Sequence, residues 1–159
     1  MRSVLITGTS SGIGLATAVV LASRRLQRCG TCKRGSHSIK RSRLRACKTM
    51  STSRSSTSRA PPRSKLRPDS ILARTGNTLD AVVHNAGVAA AGALEDVPES
   101  ELRRVMETNF FGVLGLTRAL LPTFRAQRRG RILIVSTEAA FYGQPTNAIY
   151  CASKWAIEG

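Results

Sequence analysis

Tyr150 and Lys154 stand four residues apart in "NAIYCASKWAIEG", the last stretch of the chain. On a helix that spacing puts a phenol and an ammonium on one face, with their β-carbons about 5–6 Å apart. A free phenol has a pKa near ~10 and is a poor base at neutral pH. Lowering it by about three units takes about 4 kcal/mol of preferential stabilisation of the phenolate. A neighbouring ammonium supplies part of that, and a cationic cofactor supplies more. A phenol so tuned can exchange a proton with an alcohol or carbonyl oxygen while a hydride moves. Taken alone, the same pair also suits an amphipathic helix with a tyrosine on its packing face.

The second stretch with chemical content is "TGTSSGIG". Gly8, Gly12 and Gly14 permit a tight turn and close approach of a ligand to the backbone. The run follows a short β-prone segment, Ser3–Thr7, and opens the helical run "LATAVVLAS". A helix that starts there points its free N–H groups and positive dipole end at the loop, which favours a phosphate. Ser10 and Ser11 add hydroxyl donors. A glycine loop alone can be an ordinary turn; between a strand and a helix it points to nucleotide binding.

These residues need a frame. Leu79–Val83 reads as a buried strand that ends in a turn at Asn85, Ala86 and Gly87. A long helix follows, with Asp96 and Glu99 spaced like an N-cap and its N3 partner and Pro98 in the first turn. Leu102, Val105, Met106, Phe110, Val113, Leu116, Leu120 and Phe124 recur at helical spacing. The basic run "RAQRRG" suits the end of that helix, with Gly130 as terminator. "RILIVST" is a third strand, and "PTNAIYCASKWAIE" begins a last helix. Strands alternating with helices imply a parallel α/β sheet. Ligands bind such sheets beyond the carboxyl ends of the strands. Those ends carry "TGTSSGIG", "HNAG" and "VST".

The chain has 159 residues, enough for one domain, and a formal charge of +16. That charge suggests nucleic acid until its distribution is read. Arg24 to Pro68 holds 15 Lys/Arg and no acid, leaving 10 Lys/Arg against 9 Asp/Glu elsewhere. The basic segment is of low complexity and has no hydrophobic period. It is expected to lack defined structure, because it cannot offset a backbone ordering cost of about 1–2 kcal/mol per residue. Cys29, Cys32 and His37 have a zinc-knuckle spacing, but the gap to Cys47 is too long, so no metal site is assigned. No aromatic residue interleaves with the arginines for base stacking, so nucleic acid is not the expected partner. No run approaches the ~18 apolar residues of a membrane span, and the N-terminal apolar run is too short for a secretory signal. A soluble, cytoplasmic chain with no membrane partner is expected.

In order, "TGTSSGIG", "HNAG", "TNFFG", "VST" and "YCASK" resemble the N-terminal portion of the short-chain dehydrogenase/reductases. The likeness covers residues 1 to about 23 and about 70 to 159. It implies a partial Rossmann-like domain over 1–159, a doubly wound parallel sheet that binds NAD or NADP and acts on a small alcohol or carbonyl substrate. Homo-oligomers are compatible with it. By the resemblance, Gly8, Gly12 and Gly14 form the phosphate loop with Ser10, Ser11 and Ile13. Asn85, Ala86 and Gly87 steady the sheet beside the adenosine. Asn109 holds a water in a proton relay. Tyr150 is the catalytic acid/base, and Lys154 lowers its pKa and binds the nicotinamide ribose. Thirteen residues before Tyr150 stands Thr137, where the family has a serine; Ser136 is the alternative donor. His84 reads as a turn or strand-end residue and not a metal ligand. "TNFFGVLGLTRALLP" is similar to relatives that act on steroids or retinoids.

The chain departs from the family twice. The family's second and third strands are not recognisable in Arg24–Pro68, whose composition resembles an out-of-frame reading. That is a hypothesis for the coding DNA to decide: it fails if the other two frames contain nothing strand-like with an acidic end. Relatives also continue past the Tyr150 helix with further strands and the substrate pocket, so this chain is expected to be marginal in stability and at best weakly active. Two other readings follow. One is a catalytically inactive nucleotide-binding fragment that pairs with an intact relative. The other is a nucleic-acid binder working through the basic segment.

Overall fold

The three apolar runs form one parallel sheet in the order β1 (Val4–Ile6), β2 (Ala81–His84), β3 (Arg131–Ile134). The structure is a computed structural model and describes residues 3–27, 71–73 and 75–159. Val4 pairs with Ala81 and Ile6 with Val83, while Ala81 pairs with Arg131 and His84 with Ile134. In this register the carboxyl ends of all three strands lie side by side. At the strand ends side chains add to the backbone ladder, which runs on from Asp80 to the Ser3 carbonyl and from Arg131 to the Asp80 carbonyl. At the start of β2, the Gln127 amide binds both the N–H and the C=O of Leu79, each at 2.9 Å. Asp80 is tied instead to Ser3, whose N–H donates to the Asp80 carboxylate at 2.7 Å.

Helix α1 (Gly12–Gln27) joins β1 towards β2. It runs four residues into the basic segment; the rest of Arg24–Pro68, with its expected lack of structure and its cysteines, lies outside the described residues. Between β2 and β3 the expected long helix is present but interrupted. It comprises α2 (Glu99–Met106), a π-turn (Glu107–Phe111) and α3 (Gly112–Gln127). Of the periodic apolar residues, Val105, Val113, Leu120 and Phe124 are buried, and Leu102, Met106, Phe110 and Leu116 are half-buried. Leu120 and Phe124 pack with Leu79 and Val82 into the main core cluster. Full burial of one such leucine stabilises by about 1.5–3 kcal/mol.

Both expected ends of this helix need correction. Pro98, not Asp96, occupies the N-cap position, and no side chain caps it. The approach explains this: the N–H groups of Asp96 and Val97 both turn back to the Ala93 carbonyl, so the chain is still in a turn at Asp96. Glu99 and Glu101 in the first turn offset the positive dipole end instead. At the other end the left-handed residue is Arg128, with φ 50°, not Gly130. Gly130 is small for another reason, since a β-carbon there would stand 2.5 Å from the Phe124 ring.

β3 leads through a short 3-10 turn (Glu138–Ala140) to α4 (Ala148–Glu158). All four residues of β3 are exposed, Leu133 at 56%. β3 is an outer strand with no ladder partner on its far side among the described residues.

Candidate active site

The glycine loop and the turn after β2 are locked together by side chains. The Thr7 hydroxyl accepts the N–H groups of both Asn85 and Ala86 at 3.1 Å. The Asn85 side-chain amide donates back to the carbonyls of Gly8, at 2.9 Å, and Thr7, at 3.3 Å. The glycines make this approach possible. A β-carbon on Gly8 would lie 2.6 Å from the Ala86 Cα, and one on Gly14 would overlap Asn85 Nδ2 and the Gly8 carbonyl. Gly12 differs: its φ is 58° and a β-carbon would meet nothing within 4 Å. That open space lies at the first residue of α1, whose first turn carries no acid. Ser10, Ser11 and Ile13 are exposed around it. A free helix N-terminus with a bare backbone and hydroxyls around it has the donors that a pyrophosphate requires.

The turn also reaches the catalytic candidates. A β-carbon on Gly87 would stand 3.6 Å from Asn109 Oδ1 and 3.8 Å from Lys154 Nζ. Asn109 is buried at the π-turn, where its Oδ1 accepts the Val88 N–H at 2.9 Å and its Nδ2 donates to the Val88 carbonyl at 2.8 Å. The same Nδ2 donates to Ser153 Oγ at 3.0 Å, and Ser153 donates to the Tyr150 carbonyl at 2.8 Å. The Asn109 side chain is thus committed to clamping the turn after β2 onto α4. The π-turn accommodates it by shifting one backbone bond, so that the Gly112 N–H donates to the Glu107 carbonyl.

Lys154 is buried and donates to the Val135 carbonyl at 2.9 Å. Its Nζ lies 5.9 Å from the centre of the Tyr150 ring, as the four-residue spacing requires. Burial pushes the amine below the usual lysine range, and the Glu158 carboxylate opposes this. Tyr150 is half-buried, and its hydroxyl makes no hydrogen bond among the described residues. Thr137, half-buried and extended, leads into the 3-10 turn, with its carbonyl accepting the Ala140 N–H at 3.1 Å. Its hydroxyl is likewise unpaired among the described residues. Ser136 Oγ is buried without a partner, not bonded to backbone as a strand-end hydroxyl would be. His84 is a strand-end residue as expected; it is buried, and its Nε2 lies 2.9 Å from the Thr117 hydroxyl.

Spacing alone missed three contributors: Thr7, Ser153 and the Val135 carbonyl. Ser153 carried a readable signal, as a small hydroxyl residue three positions after Tyr150 on the helix. The Val135 carbonyl carried none, because a backbone acceptor has no residue type.

The sequence pattern of the short chain dehydrogenase family matches residues 2–159, and the chain belongs to that family. It is 36% identical to 3-ketodihydrosphingosine reductase of Bacteroides thetaiotaomicron over 156 residues, covering 98% of this chain and 54% of that protein. It is 34% identical to bovine retinol dehydrogenase 8, covering 99% of this chain and 51% of that protein. Its fold is similar to a gluconate 5-dehydrogenase from Burkholderia cenocepacia solved with NADP and tartrate (TM-score 0.71, 23% identity, 98% of this chain and 61% of that one). The chain therefore spans about half the length of the curated relatives it matches. Its three-stranded parallel sheet is an incomplete Rossmann-like α/β domain. No helix among the described residues is long and apolar enough to cross a membrane.

Proposed function

We propose that this chain carries the dinucleotide cradle and proton-handling pair of an NAD(P)-dependent oxidoreductase acting on an alcohol or carbonyl. One observation carries the reading: Gly87 brings Asn109 and Lys154 to the same turn that, through Asn85, clasps the glycine loop. When bound, NAD or NADP supplies or accepts the hydride. The backbone at Gly12 and the hydroxyls of Ser10 and Ser11 hold the phosphates, and Asn85, Ala86 and Gly87 border the adenosine side. Lys154 binds the ribose and favours ionisation of Tyr150. The Tyr150 hydroxyl gives its proton to the substrate oxygen in reduction, and the Tyr150 phenolate takes the alcohol proton in oxidation. The Thr137 hydroxyl orients that oxygen, with Ser136 behind it. The named relatives act on retinol and a sphingoid ketone, so the favoured substrate here has a long apolar body.

The test measures NADH and NADPH binding by fluorescence and turnover with a panel of apolar ketones. Tyr150→Phe should keep binding and lose turnover; Gly14→Ala should lose both. Equal turnover by the wild type and Tyr150→Phe would sink the assignment. A second reading is an inactive partner of an intact relative, favoured by the exposed outer strand β3. It predicts cofactor binding without turnover in any panel.

A further inference from the structure

Arg125, Arg128, Arg129 and Arg131 crowd into seven residues at the join of α3 and β3. All four are exposed. This is the amino end of the sheet, opposite the end that carries Thr137 and Lys154. Only Arg129 has a carboxylate in range among the described residues, Asp80 at 3.8 Å. A helix C-terminus gains from one or two cations. Here the charge runs on past the helix into the strand, so the dipole alone does not account for it.

Three of them, Arg125, Arg128 and Arg129, also rim a cleft of about 450 Å³ with Leu121, Phe124, Gly130 and Ile132 on its walls. Ile132 is 39% exposed. Guanidinium groups around an apolar floor match the two halves of an anionic amphiphile: the fork of Arg binds phosphate or carboxylate oxygens, and the floor accepts methylenes. A nucleic acid would use the charges but leave the floor wet.

We propose that this end of the domain docks on an anionic lipid surface, with Arg125, Arg128, Arg129 and Arg131 on the headgroups and the cleft beside Ile132 admitting acyl chain. This peripheral contact departs from the expectation of no membrane partner, which rested on the lack of a run long enough to span a bilayer. Each arginine adds about fivefold to partitioning at low salt, and the effect is screened as salt rises.

The test keeps the full chain and places a reporter, Ile132→Trp in a Trp155→Phe background. It is mixed with phosphatidylcholine vesicles carrying brominated acyl chains, with and without phosphatidylserine. The proposal expects quenching and a blue shift on the anionic vesicles only. Arg125→Gln/Arg128→Gln/Arg129→Gln/Arg131→Gln should lose the quenching even where the basic segment still holds protein on the vesicle. The milder Arg125→Gln/Arg128→Gln pair should lower partitioning at least tenfold, with helix content unchanged by circular dichroism. Bound protein with an unquenched reporter overturns the proposal, as does equal quenching by neutral vesicles. So does binding to duplex DNA without binding to vesicles. A blue shift that grows with protein concentration in the absence of lipid assigns the cleft to a second copy instead.

Discussion

The amine of Lys154 is tethered to the carbonyl of Val135 at 2.9 Å, which fixes a helix-borne charge at the carboxyl end of β3. This position is set by a contact within the fold. It comes at an electrostatic cost, because burial disfavours the ammonium. The folded pKa lies below the unfolded value of ~10.4, so the unfolded chain holds the proton more tightly. Stability from this site is therefore greatest above ~10.4 and is lost as pH falls through the folded value. Lys154→Met should raise or leave unchanged the urea midpoint at neutral pH and flatten its rise on the alkaline side. In a turnover assay the same variant should be inactive. A large fall in the midpoint would show that the bond to Val135 outweighs the burial of charge.

The loop glycines should separate packing from conformation. Gly14→Ala puts a methyl into Asn85 and the Gly8 carbonyl, and rigid backbone cannot yield. Overpacking of that kind costs about 1–3 kcal/mol or more. Gly12→Ala meets no atom within 4 Å and suffers only its positive φ, about 1–2 kcal/mol. Thermal unfolding should rank Gly14→Ala below Gly12→Ala below wild type. Cofactor titration should show Gly12→Ala weakened beyond what its stability loss explains, because its methyl points into the open cradle. Unchanged affinity would place the phosphates elsewhere.

Asn109 should behave as a clamp. Asn109→Ala strands the N–H and carbonyl of Val88 and releases Ser153. Each stranded group costs about 1–3 kcal/mol. Hydrogen exchange should accelerate at Val88 and along the first turns of α4. Asn109→Asp keeps the acceptor for the Val88 N–H but loses both donors, so it should fall between the alanine variant and wild type. Equal protection in all three proteins would mean that the turn and α4 are held by other contacts.

Much of this arrangement is legible in the sequence. Tyr150 and Lys154 share a helix face, and the apolar periodicity from Leu102 to Phe124 marks a helix whose buried face holds the core, because each pattern is set by local geometry. What was not legible depends on non-local partners. Asp96 looks like a cap until the turn at Ala93 claims its N–H. Gly130 looks like a terminator until the Phe124 ring fills the space above it. The π-turn has no sequence period of its own and follows from the partners of Asn109 across the fold. Ser136 and Thr137 differ by one residue on a strand end, so spacing could nominate both hydroxyls without deciding how each is partnered.

His84 gives an acid-side prediction. It is buried against Thr117, and burial lowers its pKa below ~6.5. The neutral ring is the form that fits. Below ~6.5 the unfolded chain takes up the proton first, so stability present above that value is lost as pH falls through the folded pKa. The urea midpoint should drop between about pH 7 and 5 by more than in His84→Asn, which cannot titrate and whose amide can still reach towards Thr117. Thr117→Val should lower the midpoint at pH 7 by removing a part-buried hydrogen bond, about 1 kcal/mol, while leaving the acid slope in place. If His84→Asn keeps the full acid slope, the sensitivity belongs to another group, and the pairing across β2 and α3 has no part in it.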